Sequence, residues 1–128
     1  MVGIVIVSHS QKIAEGAKEL ALQMAPEAPI AAAGGLPDGG IGTDFQRIYD
    51  AIESVAGADG VIVLFDMGSA IMTTEMVIDS FDGVDIRMVD GPVVESSVVA
   101  AVSSAVGMDM DGIVEAIRDA AQTPKLSS

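Results

Sequence analysis

Two apolar runs without a polar interruption, Gly3-Ile4-Val5-Ile6-Val7 and Gly60-Val61-Ile62-Val63-Leu64-Phe65, restrict this chain more than anything else in it. A strand with one wet face alternates polar and apolar residues. A short β-branched run that does not alternate is a strand covered on both faces, and such strands belong to parallel sheets joined by helical crossovers. The segments around the runs supply the helices. Gln11 to Met24 reads as one; Asp44 to Ala56 is another, with Phe45, Ile48, Ile52 and Val55 on one face; Ser69 to Phe81 follows the second run. Thr43-Asp44-Phe45-Gln46 fits a capping box. Pro29 to Gly35 is a weaker strand, and Val84 to Asp90 an edge-side strand stopped by Gly91-Pro92. Val94 to Val106 and Gly112 to Ala121 read as the last two helices. The pattern βαβαβαβαα predicts an α/β fold, a doubly wound domain over residues 1–122 with a tail at 123–128. Its mainly parallel sheet of four strands is expected in the order 2-1-3-4, with helices on both faces.

Composition narrows the functional classes. With 19 acidic residues against six basic ones the net charge is −13, and no basic patch is available to neutralise phosphates. Nucleic acid and anionic membrane surfaces are therefore excluded as partners, while a basic protein partner suits the charge. The absence of cysteine excludes a disulfide scaffold and a thiolate metal site. Asp109-Met110-Asp111 fits a helix cap better than a metal site, and no metal is expected. No apolar stretch approaches the ~20 residues of a membrane span, and no basic region precedes the first apolar run as in a signal peptide. The expected location is the cytoplasm. Met67, Met72 and Met76 are expected to pack a core or a subunit interface.

The only histidine, His9, stands where the first strand ends and the first helix begins. In open α/β sheets, ligands gather outside the carboxyl ends of strands, at the point where the strand order reverses. In the order 2-1-3-4 that point lies between the first and third strands, so His9 and Asp66, which ends the third, border one crevice. A carboxylate accepting from one ring nitrogen fixes the tautomer and frees the other to attack. The alternative is that His9 caps a helix and Asp66 starts a turn. A glycine-rich loop, Gly34 to Thr43, opens into a helix start, and Gly68-Ser69 repeats the arrangement. Backbone N–H groups around Gly40, Gly42, Thr43, Gly68 and Ser69, with the Ser8, Ser10 and Thr43 hydroxyls, could surround a phosphoryl group. Ordinary turn chemistry accounts for such glycines equally well.

The blocks Gly3 to Ser10, Ile13 to Gly16, Gly39 to Thr43, Leu64 to Ala70 and Val89 to Glu95 occur in one order over about the first hundred residues. Together they resemble the phosphotransferase subunits of bacterial dihydroxyacetone kinases, a family related to the mannose-type enzyme IIA domains of the sugar phosphotransferase system. Met67, Thr73 and Thr74 depart from the family pattern, and the histidine motif is intact. The resemblance implies the α/β fold, a homodimer, and a phosphotransferase role in a PEP-dependent dihydroxyacetone kinase. The residue matching His9 would take a phosphoryl group from the phosphocarrier HPr, itself charged by enzyme I. It would pass the group to ADP held on the DhaL subunit, and the ATP formed there would phosphorylate dihydroxyacetone on DhaK. The chain would need no cofactor of its own, since ADP and ATP stay on the partner. Some family members carry fused HPr-like and enzyme I-like domains; a chain of this length would use the general ones. His9 would be the nucleophile, Asp66 its orienting partner, and Ser10, Gly40, Gly42, Thr43, Gly68 and Ser69 the phosphoryl cradle. A mannose-type enzyme IIA passing the group to a sugar transporter, an anion-binding flavodoxin-like module and a structural homodimer are the competing readings.

Overall fold

The computed structural model describes residues 1–126, so positions 127 and 128 of the expected tail lie outside the described residues. Strands β1 (Gly3–Ser8), β2 (Ile30–Gly34), β3 (Val61–Phe65) and β4 (Ile86–Met88) form one parallel sheet in the order β2-β1-β3-β4. The helices are α1 (Gln11–Met24), α2 (Phe45–Val55), α3 (Ser69–Asp79), α4 (Val93–Ala105) and α5 (Met110–Gln122). The α/β class, the parallel sheet and its order agree with the sequence reading.

Burial explains the unbroken runs. Every residue of β1 is buried, and its side chains divide between two cores. Ile4 and Ile6, with Ile62 and Leu64 of β3, meet Ala14, Ala17 and Ala21 of α1, Ala100 and Ala101 of α4, and Ile113 and Ile117 of α5. Val5 and Val7, with Val61 and Val63, meet Ile48, Ala51 and Ile52 of α2 and Ala70 and Val77 of α3. Each fully buried Val or Ile contributes about 1.5–3 kcal/mol, so the two cores together hold the central strands from both sides. Alanines on α1 and α4 let those helices approach closely. Two buried serines of α4 find carbonyl partners, Ser97 Oγ donating to that of Val93 in its own helix and Ser104 Oγ to that of Val2 just before β1, both at 2.6 Å.

The departures from expectation are local and have local causes. Helix α2 begins one residue late for a capping box: Asp44, not Thr43, is its N-cap, and the carboxylate accepts from the Arg47 N–H at 3.0 Å. Gln46 turns away to donate to Asp50. Helix α3 ends at Asp79 because Ser80 and Phe81 tighten into i−3 bonds to Val77 and Ile78. β4 shrinks to three residues because it pairs only with β3 and the chain leaves the ladder beyond Met88. Asp109 caps α5 by accepting from the Gly112 N–H at 2.9 Å, so that helix starts at Met110 and the acidic cluster serves as a cap. Of the two places expected for Met67, Met72 and Met76, the core is not the one: all three are exposed on the chain.

Candidate functional site

The strand order sets β1 beside β3, and the Asp66 N–H donates to the Val7 carbonyl at 3.2 Å. Ser8 and Asp66 thus follow directly on the last paired rung, Val7 with Phe65. His9 comes next, before α1 starts, and it does not cap that helix. Ser10 does, its hydroxyl accepting from the Ile13 N–H at 3.4 Å. The imidazole is left to turn over the sheet end, where His9 Nδ1 lies 2.9 Å from Asp66 Oδ1. Both side chains are mostly covered, 16% exposed for His9 and 14% for Asp66.

Asp66 does more than start a turn. Its Oδ1 also accepts from the Met67 N–H at 2.8 Å, and its Oδ2 accepts from the His9 N–H at 3.0 Å and the Ser8 hydroxyl at 2.8 Å. Burial pushes the carboxyl's pKa up, but the His9 backbone and ring and the Ser8 hydroxyl outweigh it and hold the pKa below its ordinary value. An ionised carboxylate only accepts, so the proton between the two groups belongs on Nδ1. In the neutral form of the ring Nε2 carries the lone pair, and the Ser69 hydroxyl, 2.7 Å away, is placed to donate to it. Such an arrangement can present an oriented ring nitrogen with its tautomer fixed from behind.

Around Nε2 the expected cradle is only partly available. Gly68 and Ser69 open α3, and among the described residues their N–H groups donate to no protein acceptor, so the positive end of that helix faces the reactive nitrogen. The glycine loop is engaged differently. The Gly42 N–H donates to the His9 carbonyl at 2.9 Å, and the Gly40 N–H to Asp38 at 2.7 Å. These two glycines therefore tie the loop to the His9 backbone and to itself instead of offering donors. Thr43 Oγ1 meets Thr73 Oγ1 at 3.3 Å, bridging the loop to α3. Ser10 is occupied as the α1 cap. Ser8 was expected among the groups around a ligand, yet it is fully buried behind Asp66. The signal for that placement was present: it lies on the same sheet face as Ile4 and Ile6, one residue past the pairing with β3 and still paired with Gly34 of β2. Among the described residues no cluster of metal-ligating side chains exists, and no helix is long and apolar enough to cross a membrane.

A family model described as "PTS system fructose IIA component", EIIA-man, matches residues 3–117. The chain belongs to the EIIA-man family. Its relatives in that family include the phosphoryl donor subunit DhaM of a PEP-dependent dihydroxyacetone kinase from Pantoea ananatis, 42% identical over 94% of this chain. That alignment covers 27% of the relative, so the chain spans about a quarter of the length of such proteins. The phosphotransferase subunit DhaM from Lactococcus lactis is 38% identical, with 88% of this chain and 90% of the relative covered. A solved protein of unknown function superposes with a TM-score of 0.81 at 29% identity, covering 98% of each chain. The resemblance to DhaM seen in the sequence blocks is thus upheld, and the EIIA-man match includes His9, Asp66 and Ser69.

Proposed function

We propose that the chain is a phosphohistidine carrier of DhaM type, taking a phosphoryl group on His9 Nε2 and delivering it within a dihydroxyacetone kinase. The observation that supports this reading is the row Asp66–His9–Ser69, in which an ionised Asp66 behind Nδ1 favours the tautomer with Nε2 bare. In the charging step the Nε2 lone pair attacks phosphorus on the phosphohistidine of HPr. The P–N bond to the donor breaks, and its electron pair returns to the donor imidazole. The Nδ1 proton stays in place, and the positive charge gained by the His9 ring is compensated by Asp66. The Ser69 hydroxyl leaves Nε2 and, with the Gly68 and Ser69 N–H groups, donates to phosphoryl oxygens. Little covalent work remains, since phosphoryl transfer is chiefly a matter of position and charge. In the discharging step a terminal phosphate oxygen of ADP on DhaL attacks, and the pair returns to Nε2. The nucleotide belongs to the partner, and the chain needs none of its own. DhaM names on the relatives support this acceptor over the IIB domain of a sugar transporter. Homodimerisation and a cytoplasmic site of action belong to the same proposal.

Incubation with enzyme I, HPr and phosphoenolpyruvate, followed by intact-mass spectrometry at alkaline pH, tests it. Wild type should gain one acid-labile phosphoryl group and His9→Ala none; an uncharged wild type beside demonstrably charged HPr rejects the carrier role. Mixing charged protein with DhaL–ADP or with a IIB domain then identifies the acceptor.

A further inference from the structure

We propose that Ser8 is a positioning residue for the His9 imidazole: its buried hydroxyl, locked by the Ser10 N–H, pins Asp66 Oδ2 so that Oδ1 stays aimed at Nδ1. The argument starts from what a hydroxyl can do. It has one proton to give and lone pairs to receive with, and its rotor turns to suit its surroundings. Ser8 is fully buried, so water does not compete for it. Its oxygen accepts from the Ser10 N–H at 3.0 Å, and its proton is directed to Asp66 Oδ2 at 2.8 Å. The chain of bonds therefore runs one way, from the start of α1 through Ser8 to the carboxylate. Oδ2 is gripped by two donors from the β1–α1 turn, Ser8 Oγ and the His9 N–H, while Oδ1 faces the ring. Rotation of the carboxylate would break the pair on Oδ2 and the pair on Oδ1 together.

An alanine at position 8 deletes the only side-chain donor to Oδ2 and leaves the Ser10 N–H without its acceptor. Oδ2 then keeps only the His9 N–H among the donors described, so the hold on the carboxylate, and through it on the imidazole tautomer, is weakened. The consequence for rate rests on the reading of His9 as phosphoryl acceptor; the consequence for the ring does not. Because His9 is the chain's one histidine, its ring nitrogens can be followed without assignment in ¹⁵N-labelled protein. Wild type should show Nδ1 protonated and Nε2 bare. Ser8→Ala should show averaged nitrogens, with charging by HPr slowed roughly ten- to a hundredfold, as when the outer partner of a metal-bound histidine is removed. Ser8→Thr, which keeps the hydroxyl, should recover both. If Ser8→Ala fails to fold, the near-isosteric Ser8→Cys carries the same comparison, a thiol being a weak donor. A Ser8→Ala protein with wild-type ring nitrogens and wild-type rate overturns the proposal, as does a folded Ser8→Thr no better than alanine. A wild type with the Nδ1–H tautomer that Ser8→Ala loses, yet with no uptake of phosphate, supports the positioning role and rejects the carrier reading alone.

Discussion

Four donors meet on the Asp66 carboxylate, from Ser8, the His9 backbone, the His9 ring and Met67, and against the burial that raises its pKa those from His9 and Ser8 decide which way it moves. Each hydrogen bond to a charged group contributes about 1.5–3 kcal/mol in favour of the ionised form, enough together to overcome the burial that opposes it. A carboxyl whose folded-state pKa is depressed adds stability above its unfolded pKa, and that stability is lost as pH falls through the depressed pKa. Asp66→Asn should therefore be less stable than wild type near neutrality, and the gap should narrow as the solution is made strongly acidic. Urea midpoints at pH 7 and in acid measure this; a gap independent of pH would contradict the assignment. The same variant should slow charging of His9 by roughly a hundredfold or more, because an amide facing Nδ1 no longer dictates where the ring proton sits. Asp66 was identifiable from its position at the end of a buried run. The four-donor arrangement was not, since three of the donors come from the neighbouring strand's end and acquire their direction only when β1 and β3 are side by side.

At the scale of elements, the site depends on how closely α1 and β2 flank β1. A β-carbon on Gly34 would lie 2.5 Å from the Ser10 carbonyl oxygen, 2.7 Å from Gln11 Cα and 2.8 Å from Ala14 Cβ. Those are atoms of the α1 N-cap and first turn, which follow directly on His9. Gly34→Ala should cost about 1–3 kcal/mol in urea denaturation and slow phosphorylation as the turn is displaced. Gly16, within α1, has open space around its Cα, so Gly16→Ala should instead stabilise by about 0.5–1 kcal/mol and leave the rate unchanged. Equal effects from the two substitutions would reject the close approach of α1 to β2. Elements with a strong period, such as β1, β3 and α1, were read from the sequence almost to the residue. β4 and the start of α2 were not. An edge strand ends where its single neighbour stops supporting it, and Thr43 and Asp44 compete for one cap that only the path of the loop awards to Asp44.

Across the whole molecule, net charge and exposed apolar side chains act together. The chain carries −13, and Ile41, Met67, Met72 and Met76 are exposed on the loop, turn and helix that also carry or abut the site. Methionine side chains adapt to more than one partner, which suits a carrier that must meet a donor and an acceptor at the same atom. Opposite charge speeds encounter and is screened beyond about 10 Å at 0.1 M salt. Charging by HPr should therefore slow as salt is raised from 0.05 to 0.5 M (about a tenfold change), read by quenched-flow mass spectrometry. A rate indifferent to salt rejects electrostatic steering.

By itself the sequence determined the fold class, the strand order, and His9 and Asp66 as the pair at the crevice. The class and the pair's positions follow from unbroken runs, helical periodicity and where strands end, all read along the chain; the order follows from how small doubly wound sheets commonly run. Tertiary structure alone decided which donors remain free. The glycine loop looked like the cradle, yet Gly40 and Gly42 are engaged in holding the loop closed, while Gly68 and Ser69 keep their N–H groups open. It also moved Ser8 from the ligand's side to the back of Asp66. A hydrogen-bonding group's role depends on which partner reaches it first, and that competition is settled across the sheet and not along the chain.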